Sequence, residues 1–364
     1  MNIDIIAGAR PNFMKIAPII LALKKEKKNG VIISIRLIHT GQHYDKNMSE
    51  DFFHQLELPE PNYNLNCGGG TQANQAGKIM VKYEELIKTS SAKTDLCIVV
   101  GDVTSTMACS IVAKQNGIKV AHVEAGLRSF DMSMPEEINR IVTDSLTDLF
   151  FTTSIDAGEN LVKEGIPVDK IFFVGNTMID TLIKNKKNFK KPSFWDECRL
   201  EHNNYMLLTI HRPANVDNED ILNSLIETIL NNCRDKNVIF PIHPRTIKKF
   251  NLRRSFPKLI TFPPIGYFEF MYLLKNSFAV ITDSGGITEE ATYLNIPCIT
   301  LRENTERPET IKLGTNVLVG NNKNKIKRYM SKLFNTDWKN SEIPQFWDGK
   351  AGSRIVKSLL SQQF

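Results

Sequence analysis

Two doubly wound α/β domains are what this sequence predicts, and three observations carry the prediction. Short apolar runs alternate with longer segments of helical spacing, the pattern of a parallel sheet covered on both faces. The alternation pauses in a polar, lysine-rich stretch around 178–200 and then begins again. Polar residues stand directly after strands in both halves, where sheets of this kind place their ligands.

The elements follow in order. "IDIIAG" (3–8), "SIRLIHT" (34–40), "LCIVVGD" (96–102), "KVAHVE" (119–124), "DLFFTT" (148–153) and "KIFFVGN" (170–176) read as strands, with helical spacing over 15–26 and 135–149 among the segments between them. The second series is "YMLLTI" (205–210), "NVIFPI" (237–242), "LITFPP" (259–264), "AVITD" (279–283), "PCITL" (297–301) and "NVLVG" (316–320). "GSRIVKSLLSQQF" reads as a terminal helix. The expected domains are 1–178 and 179–345, with 346–364 as the returning C-terminal helix. A chain of 364 residues is long enough for two such cores.

Composition bounds the function. At 41% apolar and 24% charged residues the chain is ordinary for a globular protein. A net charge of +6 suits anionic ligands, phosphates included, and is too small to argue for nucleic acid. "KNKKNFKK" (184–191) and "NKNKIKR" (322–328) read as solvated faces. None of the six cysteines forms a CxxC pair, so free thiols in a reducing compartment are expected. The N-terminal segment lacks a signal-peptide pattern, and no apolar run reaches the roughly 18 residues of a membrane span. A cytoplasmic protein without membrane or nucleic-acid partners is expected.

The candidate site residues lie where strands end. Asp102 follows "LCIVVG", Glu124 closes "KVAHVE", His211 follows "YMLLTI", and Asp283, Ser284, Gly285 and Gly286 follow "AVIT". A carboxylate ending a buried strand requires a partner or a ligand, because unpaired burial is costly. "TDSGGITEE" has the form of a phosphate cradle at a helix start. Glu290 stands about a turn further on, within reach of ribose hydroxyls. Arg10, Lys15, His243 and Arg245 follow other strands and can meet phosphate oxygens. Glu136 has two readings. It is either part of the site or the distal member of a capping box "SMPE" with Ser133 as N-cap, paired on the surface with Arg140. In that helix Ile138, Ile141, Val142 and Leu146, with Leu149 just beyond, share one face. Walker A, HExxH and GxSxG patterns are absent. "GGGTQA" (68–73) follows a poor strand, and Gly41 separates His39 from His43, so neither a dinucleotide fold nor a metal pair is expected.

Ten motifs in order, "GARPNFMKIAP", "HTGQHYD", "GDVTST", "HVEAGLRS", "MPEEINR", "VGNTMID", "HRPAN", "HPRT", "TDSGGITEEA" and "RENTERPET", run from residue 8 to residue 310. Together they resemble the non-hydrolysing UDP-N-acetylglucosamine 2-epimerases. The resemblance implies the GT-B fold, with two Rossmann-like domains facing a cleft and a C-terminal helix packed back on the first. It implies reversible C2 epimerisation of UDP-N-acetylglucosamine through elimination of UDP to a 2-acetamidoglucal, without a nicotinamide or a metal, in a homodimer. It carries the catalytic roles to Asp102, Glu124, Glu136 and His211. It carries the UDP-sugar contacts to Arg10, Lys15, Arg140, His243, Ser284, Gly285, Gly286 and Glu290, and a regulatory region to Gln42 and His43.

Departures from the family pattern are few. "HRPAN" puts Ala214 where a glutamate is common, and Thr288 replaces a glutamine. "NCGGGTQANQAG" differs from the segment of relatives activated by UDP-N-acetylglucosamine, which argues against such activation here. Relatives with a similar motif set act on a 2,3-diacetamido uronic acid analogue. Three rival activities compete with epimerisation. A hydrolysing epimerase is disfavoured by "EAGLRS" with "MPEEINR". A retaining glycosyltransferase would need an acceptor site, which nothing in the sequence marks. A non-catalytic UDP-sugar sensor would need no acid–base set.

Overall fold

The computed structural model describes residues 1–41, 53, 56–242, 246 and 257–362. The chain divides into two compact units. One contains Met1–Lys184 and Gln345–Phe364, the other Asn185–Pro344.

The first unit holds β1 (Asn2–Ala7), α1 (Arg10–Lys28), β2 (Ser34–His39), β3 (Tyr63–Asn64), α2 (Gln72–Thr89), β4 (Leu96–Val100), α3 (Thr104–Gln115) and β5 (Lys119–Val123). It continues with α4 (Pro135–Leu146), β6 (Leu149–Thr152), α5 (Ile155–Lys163), β7 (Ile171–Phe173) and α6 (Thr177–Asn185), the last residue of which falls in the second unit. The seven strands form one sheet in the order β3-β2-β1-β4-β5-β6-β7, and every described pairing is parallel. β4 reads as a continuous apolar run because helices cover both faces; in β1 the run is interrupted by Asp4 and in β5 by His122. Ile3, Ile5 and Ile6 are almost wholly buried, as are all of Leu96–Val100. The polar Asp4 inside β1 is held by Arg36, Tyr83 and Thr94. The short edge strand β3 is not predicted by the polar run "NYNLNC".

The first unit also takes back the end of the chain. The final helix α13 (Ala351–Leu360) packs on α1, and the Asp180 carboxylate on α6 accepts the Gly352 N–H at 2.8 Å.

The second unit repeats the plan with β8 (Tyr205–Thr209), α7 (Pro213–Val216), α8 (Glu219–Leu230), β9 (Asn237–Pro241), β10 (Leu259–Phe262), α9 (Tyr267–Asn276) and β11 (Ala279–Thr282). After these come α10 (Gly285–Tyr293), β12 (Cys298–Thr300), α11 (Pro308–Lys312), β13 (Asn316–Leu318) and α12 (Lys323–Phe334). Its sheet order is β10-β9-β8-β11-β12-β13, again parallel in its described pairings. The core contains Leu208, Ile226, Phe240, Ile281 and Met330. In both sheets the strand order reverses once, between β1 and β4 and between β8 and β11. Those are the points where a crevice opens at the carboxyl ends of the strands.

Two local expectations are corrected. Helix α4 is not capped by Ser133: its N-cap is Met134, and the Ser133 hydroxyl donates to Asp131 at 2.6 Å instead. Nor does α4 bury its apolar face. Glu137, Asn139, Arg140, Thr143 and Asp144 are buried, whereas Ile138 is 43% exposed. The inward face is polar because it meets charged partners beneath the strand ends.

Candidate active site

In the first unit the sheet reversal is tied together by Asn12. Its side-chain oxygen accepts the Gly8 and Ala9 N–H groups at 3.1 and 2.8 Å, and its amide donates to the Val100 carbonyl at 3.0 Å. The turn after β1 is thereby held against the end of β4. Val100 and Val123 pair across β4 and β5, so Asp102 and Glu124 leave adjacent strands. Glu124 is 2% exposed and adopts φ 72°, a left-handed conformation uncommon for a residue with a side chain and often found at functional sites.

Cations meet both carboxylates. Lys15 Nζ from α1 lies 2.5 Å from Glu124 Oε2. Arg140, among the largest fully buried side chains described, donates through Nε and Nη2 to Asp102 Oδ2 at 3.1 and 2.6 Å. Its Nη1 donates to Glu137 Oε2 at 2.5 Å. The Asn139 amide donates to the Asp102 carbonyl at 2.8 Å. Gly101 has φ 70°, and a Cβ there would lie only 3.2 Å from Lys15 Nζ, so the residue before Asp102 must be small to let this pair close over the strand end.

The expected surface pair of Glu136 with Arg140 does not form. Glu136 sits half-buried in the first turn of α4, and Arg140 points inward to Glu137 and Asp102. Glu137 is a residue to which the sequence assigned no role. It is 1% exposed and accepts from the Ser129 and Phe130 amides at 2.9 Å each, closing the loop after β5. The dipeptide Glu136–Glu137 gave no signal of which side chain turns inward. Arg10 opens α1 as an exposed residue.

In the second unit His211 and the glycine turn flank the sheet reversal, following β8 and β11. His211 is 54% exposed, and its Nδ1 lies 2.9 Å from Asp283 Oδ1. A carboxylate accepts only, so Nδ1–H donates and Nε2 is left for proton exchange. Asp283 also accepts from the His211 and Arg212 amides, at 3.0 and 2.9 Å, and from the Asn215 side chain at 3.0 Å. Burial alone would raise the Asp283 carboxyl, but His211, the Arg212 amide and Asn215 outweigh it and hold it below the usual range. Asp283 was visible in the sequence only as part of the glycine turn. Its service to His211, 72 residues away, was not.

Ser284 is the N-cap of α10, so the Gly285–Gly286 amides begin the helix. A Cβ on Gly286 would meet nothing within 4 Å, so open space faces that turn. Thr288 turns its hydroxyl back onto the Gly285 carbonyl at 2.6 Å, and Ala214 lies exposed on α7. Glu290 is buried and accepts from the Tyr267 hydroxyl at 2.9 Å. Burial pushes its carboxyl up to about 8, with Tyr267 opposing and Glu289 adding to the rise. Gln42, His43, His243 and Arg245 lie outside the described residues.

These two sites can be compared with known proteins. A family model described as UDP-N-acetylglucosamine 2-epimerase matches residues 24–360. The chain belongs to the UDP-N-acetylglucosamine 2-epimerase family. A family member of that name from Methanocaldococcus jannaschii is 44% identical over 99% of each chain. The crystal structure of the Methanocaldococcus jannaschii UDP-GlcNAc 2-epimerase in complex with UDP-GlcNAc and UDP is similar over 100% of both chains, with a TM-score of 0.87 and 44% identity. A UDP-2,3-diacetamido-2,3-dideoxy-D-glucuronate 2-epimerase from Pseudomonas aeruginosa is 36% identical over 99% of each chain.

The Glu290 shift predicts a pH dependence of stability. Its folded-state pKa of about 8 stands above the ordinary carboxyl value of 4.5. Its contribution is therefore complete below about pH 4.5 and is lost as pH rises through about 8. Glu290→Gln removes this decline. In thermal melts of the full chain, the melting temperature of the variant relative to the parent should rise by a few degrees between pH 5 and pH 9; a difference independent of pH would contradict the assignment.

Proposed function

We propose that this protein interconverts UDP-N-acetylglucosamine and UDP-N-acetylmannosamine. The observation that carries the reading is the pair Asp102 and Glu124, leaving adjacent strands with a cation on each. The C2 proton of the sugar is not acidic, because no carbonyl is attached to that carbon. Removing it requires a base and simultaneous departure of the C1 oxygen substituent. The base takes the proton, its electron pair forms the C1=C2 double bond, and the C1–O bond breaks to release UDP. Re-addition of UDP at C1, with a proton delivered to the opposite face of C2, completes the inversion.

The first unit supplies Asp102, Glu124 and Glu136 as the acid–base set, and Arg10, Lys15 and Arg140 as the cations that stabilise departing diphosphate. In the second unit, Ser284, Gly285 and Gly286 offer helix-start amides to the diphosphate, Glu290 takes the ribose, and His243 assists. His211, oriented by Asp283, shuttles a proton in the same reaction. The higher identity to the UDP-N-acetylglucosamine enzyme than to the diacetamido uronate enzyme supports the simpler acetamido sugar.

The assembly is a homodimer in this reading. The exposed Ile138 on α4 and Val81 on α2 are the apolar residues that this interface would cover in the first unit. No described helix is long and apolar enough to cross a membrane. All six cysteines are free thiols, which supports a reducing, cytoplasmic setting.

Incubation with UDP-N-acetylglucosamine in deuterated water, followed by NMR, should yield UDP-N-acetylmannosamine carrying deuterium at C2. Free N-acetylmannosamine would indicate hydrolysis, and no exchange would overturn the reading. Glu124→Gln should lower exchange by at least about 10²-fold and leave UDP affinity nearly unchanged. For the assembly, light scattering should give a dimer that Ile138→Asp converts to a monomer; a monomeric parent would remove the interface.

A further inference from the structure

Beneath the strand ends of the first unit lies a buried polar group that the proposed chemistry does not use. His122, inside β5, is 0% exposed. Its Nε2 lies 2.9 Å from the Gly101 carbonyl, immediately before Asp102. Its Nδ1 lies 2.6 Å from Asp144 Oδ1 on α4. The other oxygen of Asp144 accepts the Gly126 N–H at 3.0 Å, two residues after Glu124. That same oxygen lies 2.7 Å from Arg128 Nη1. Arg128 continues to Glu164, with Nε–Oε1 at 2.8 Å and Nη2–Oε2 at 2.6 Å.

The hydrogen-bond roles follow from the partners. A peptide carbonyl accepts only, and so does an ionised carboxylate. Both ring nitrogens of His122 must then donate, so the ring carries two protons and a positive charge. The charges balance, with His122 and Arg128 set against Asp144 and Glu164. The second oxygen of Asp144 meets only donors, the Gly126 N–H at 3.0 Å and Arg128 Nη1 at 2.7 Å, the surroundings of an ionised carboxylate and hence of an acceptor.

The turn that this group reaches needs support. Glu124 keeps a left-handed backbone, which persists only where the surroundings over-determine it. The Glu124 and Ala125 amides share one acceptor, the Phe151 carbonyl, at 3.0 and 3.1 Å. Asp144 adds an independent tie at Gly126. Through His122 it adds another at Gly101.

We propose that His122 is a buried imidazolium that acts with Asp144 as a pair of positioning residues, locking the Asp102 turn and the Glu124 turn to each other. The bridge itself stands on the geometry; its catalytic consequence rests on the function proposed above. A misplacement of about 1 Å at reacting groups costs on the order of 10²-fold in rate.

Two measurements on the full chain test this. Neutron diffraction from deuterated crystals at pH 7 should show deuterons on both Nδ1 and Nε2 of His122, and a bare ring nitrogen would overturn the imidazolium. His122→Gln has a single amide and cannot donate toward both sides. Its kcat should fall about 10²-fold while its Kd for UDP stays within about twofold of the parent. A His122→Gln variant with near-parental kcat, or one losing UDP binding in step with kcat, would overturn the positioning role. Should that variant not fold, the neutron result on the unaltered protein decides. A parent without epimerase activity would sink the functional reading, and the diffraction result would still decide the bridge.

Discussion

The first unit depends on one buried guanidinium. Arg140 gives up its hydration inside the protein, a cost of several kcal/mol that only close counter-charges offset. Asp102 and Glu137 supply them. Because Glu137 also accepts two amides of the loop after β5, Arg140 joins that loop to the turn after β4. Asp102 is therefore fixed by a charge placed beside it on α4. Removing either carboxylate would strip Arg140 of one of its two close counter-charges and loosen the turn that the carboxylate holds.

This constraint explains the reversed polarity of α4. A helix over a sheet normally buries its apolar stripe. Here Ile138 is exposed, Ile141, Val142 and Leu146 are only half-buried, and the polar face reaches the strand ends, with Asn139 and Arg140 on the turn after β4 and Asp144 on the turn after β5. The helix has an ordinary amphipathic pattern, and periodicity alone cannot tell which face the tertiary structure buries. The reading of Glu136 as a surface partner of Arg140 fails for that reason.

Much of the rest was legible. The strands β1, β4, β5, β8 and β11 are mostly apolar runs, and β4, β5, β8 and β11 have a charged residue or a histidine within two residues of their ends; such runs have few competing assignments. The phosphate-cradle form of Ser284–Gly286 was visible because glycines at a helix start have a specific backbone use. Partnerships across long sequence separations were not visible. His211 with Asp283, Lys15 with Glu124, and Gly101 with His122 depend on which strands become neighbours, and sheet order is not encoded locally. Ser133 shows the local limit: the motif fits a cap, yet an aspartate two residues earlier takes its hydroxyl.

The central claim is that a buried, two-pronged cation sets the geometry of Asp102. Arg140→Lys tests it most directly, since the charge is kept and the fork is lost. Steady-state kinetics should give a kcat at least about 10²-fold below the parent, with circular dichroism unchanged. A lysine variant that turns over at the parental rate would contradict the account.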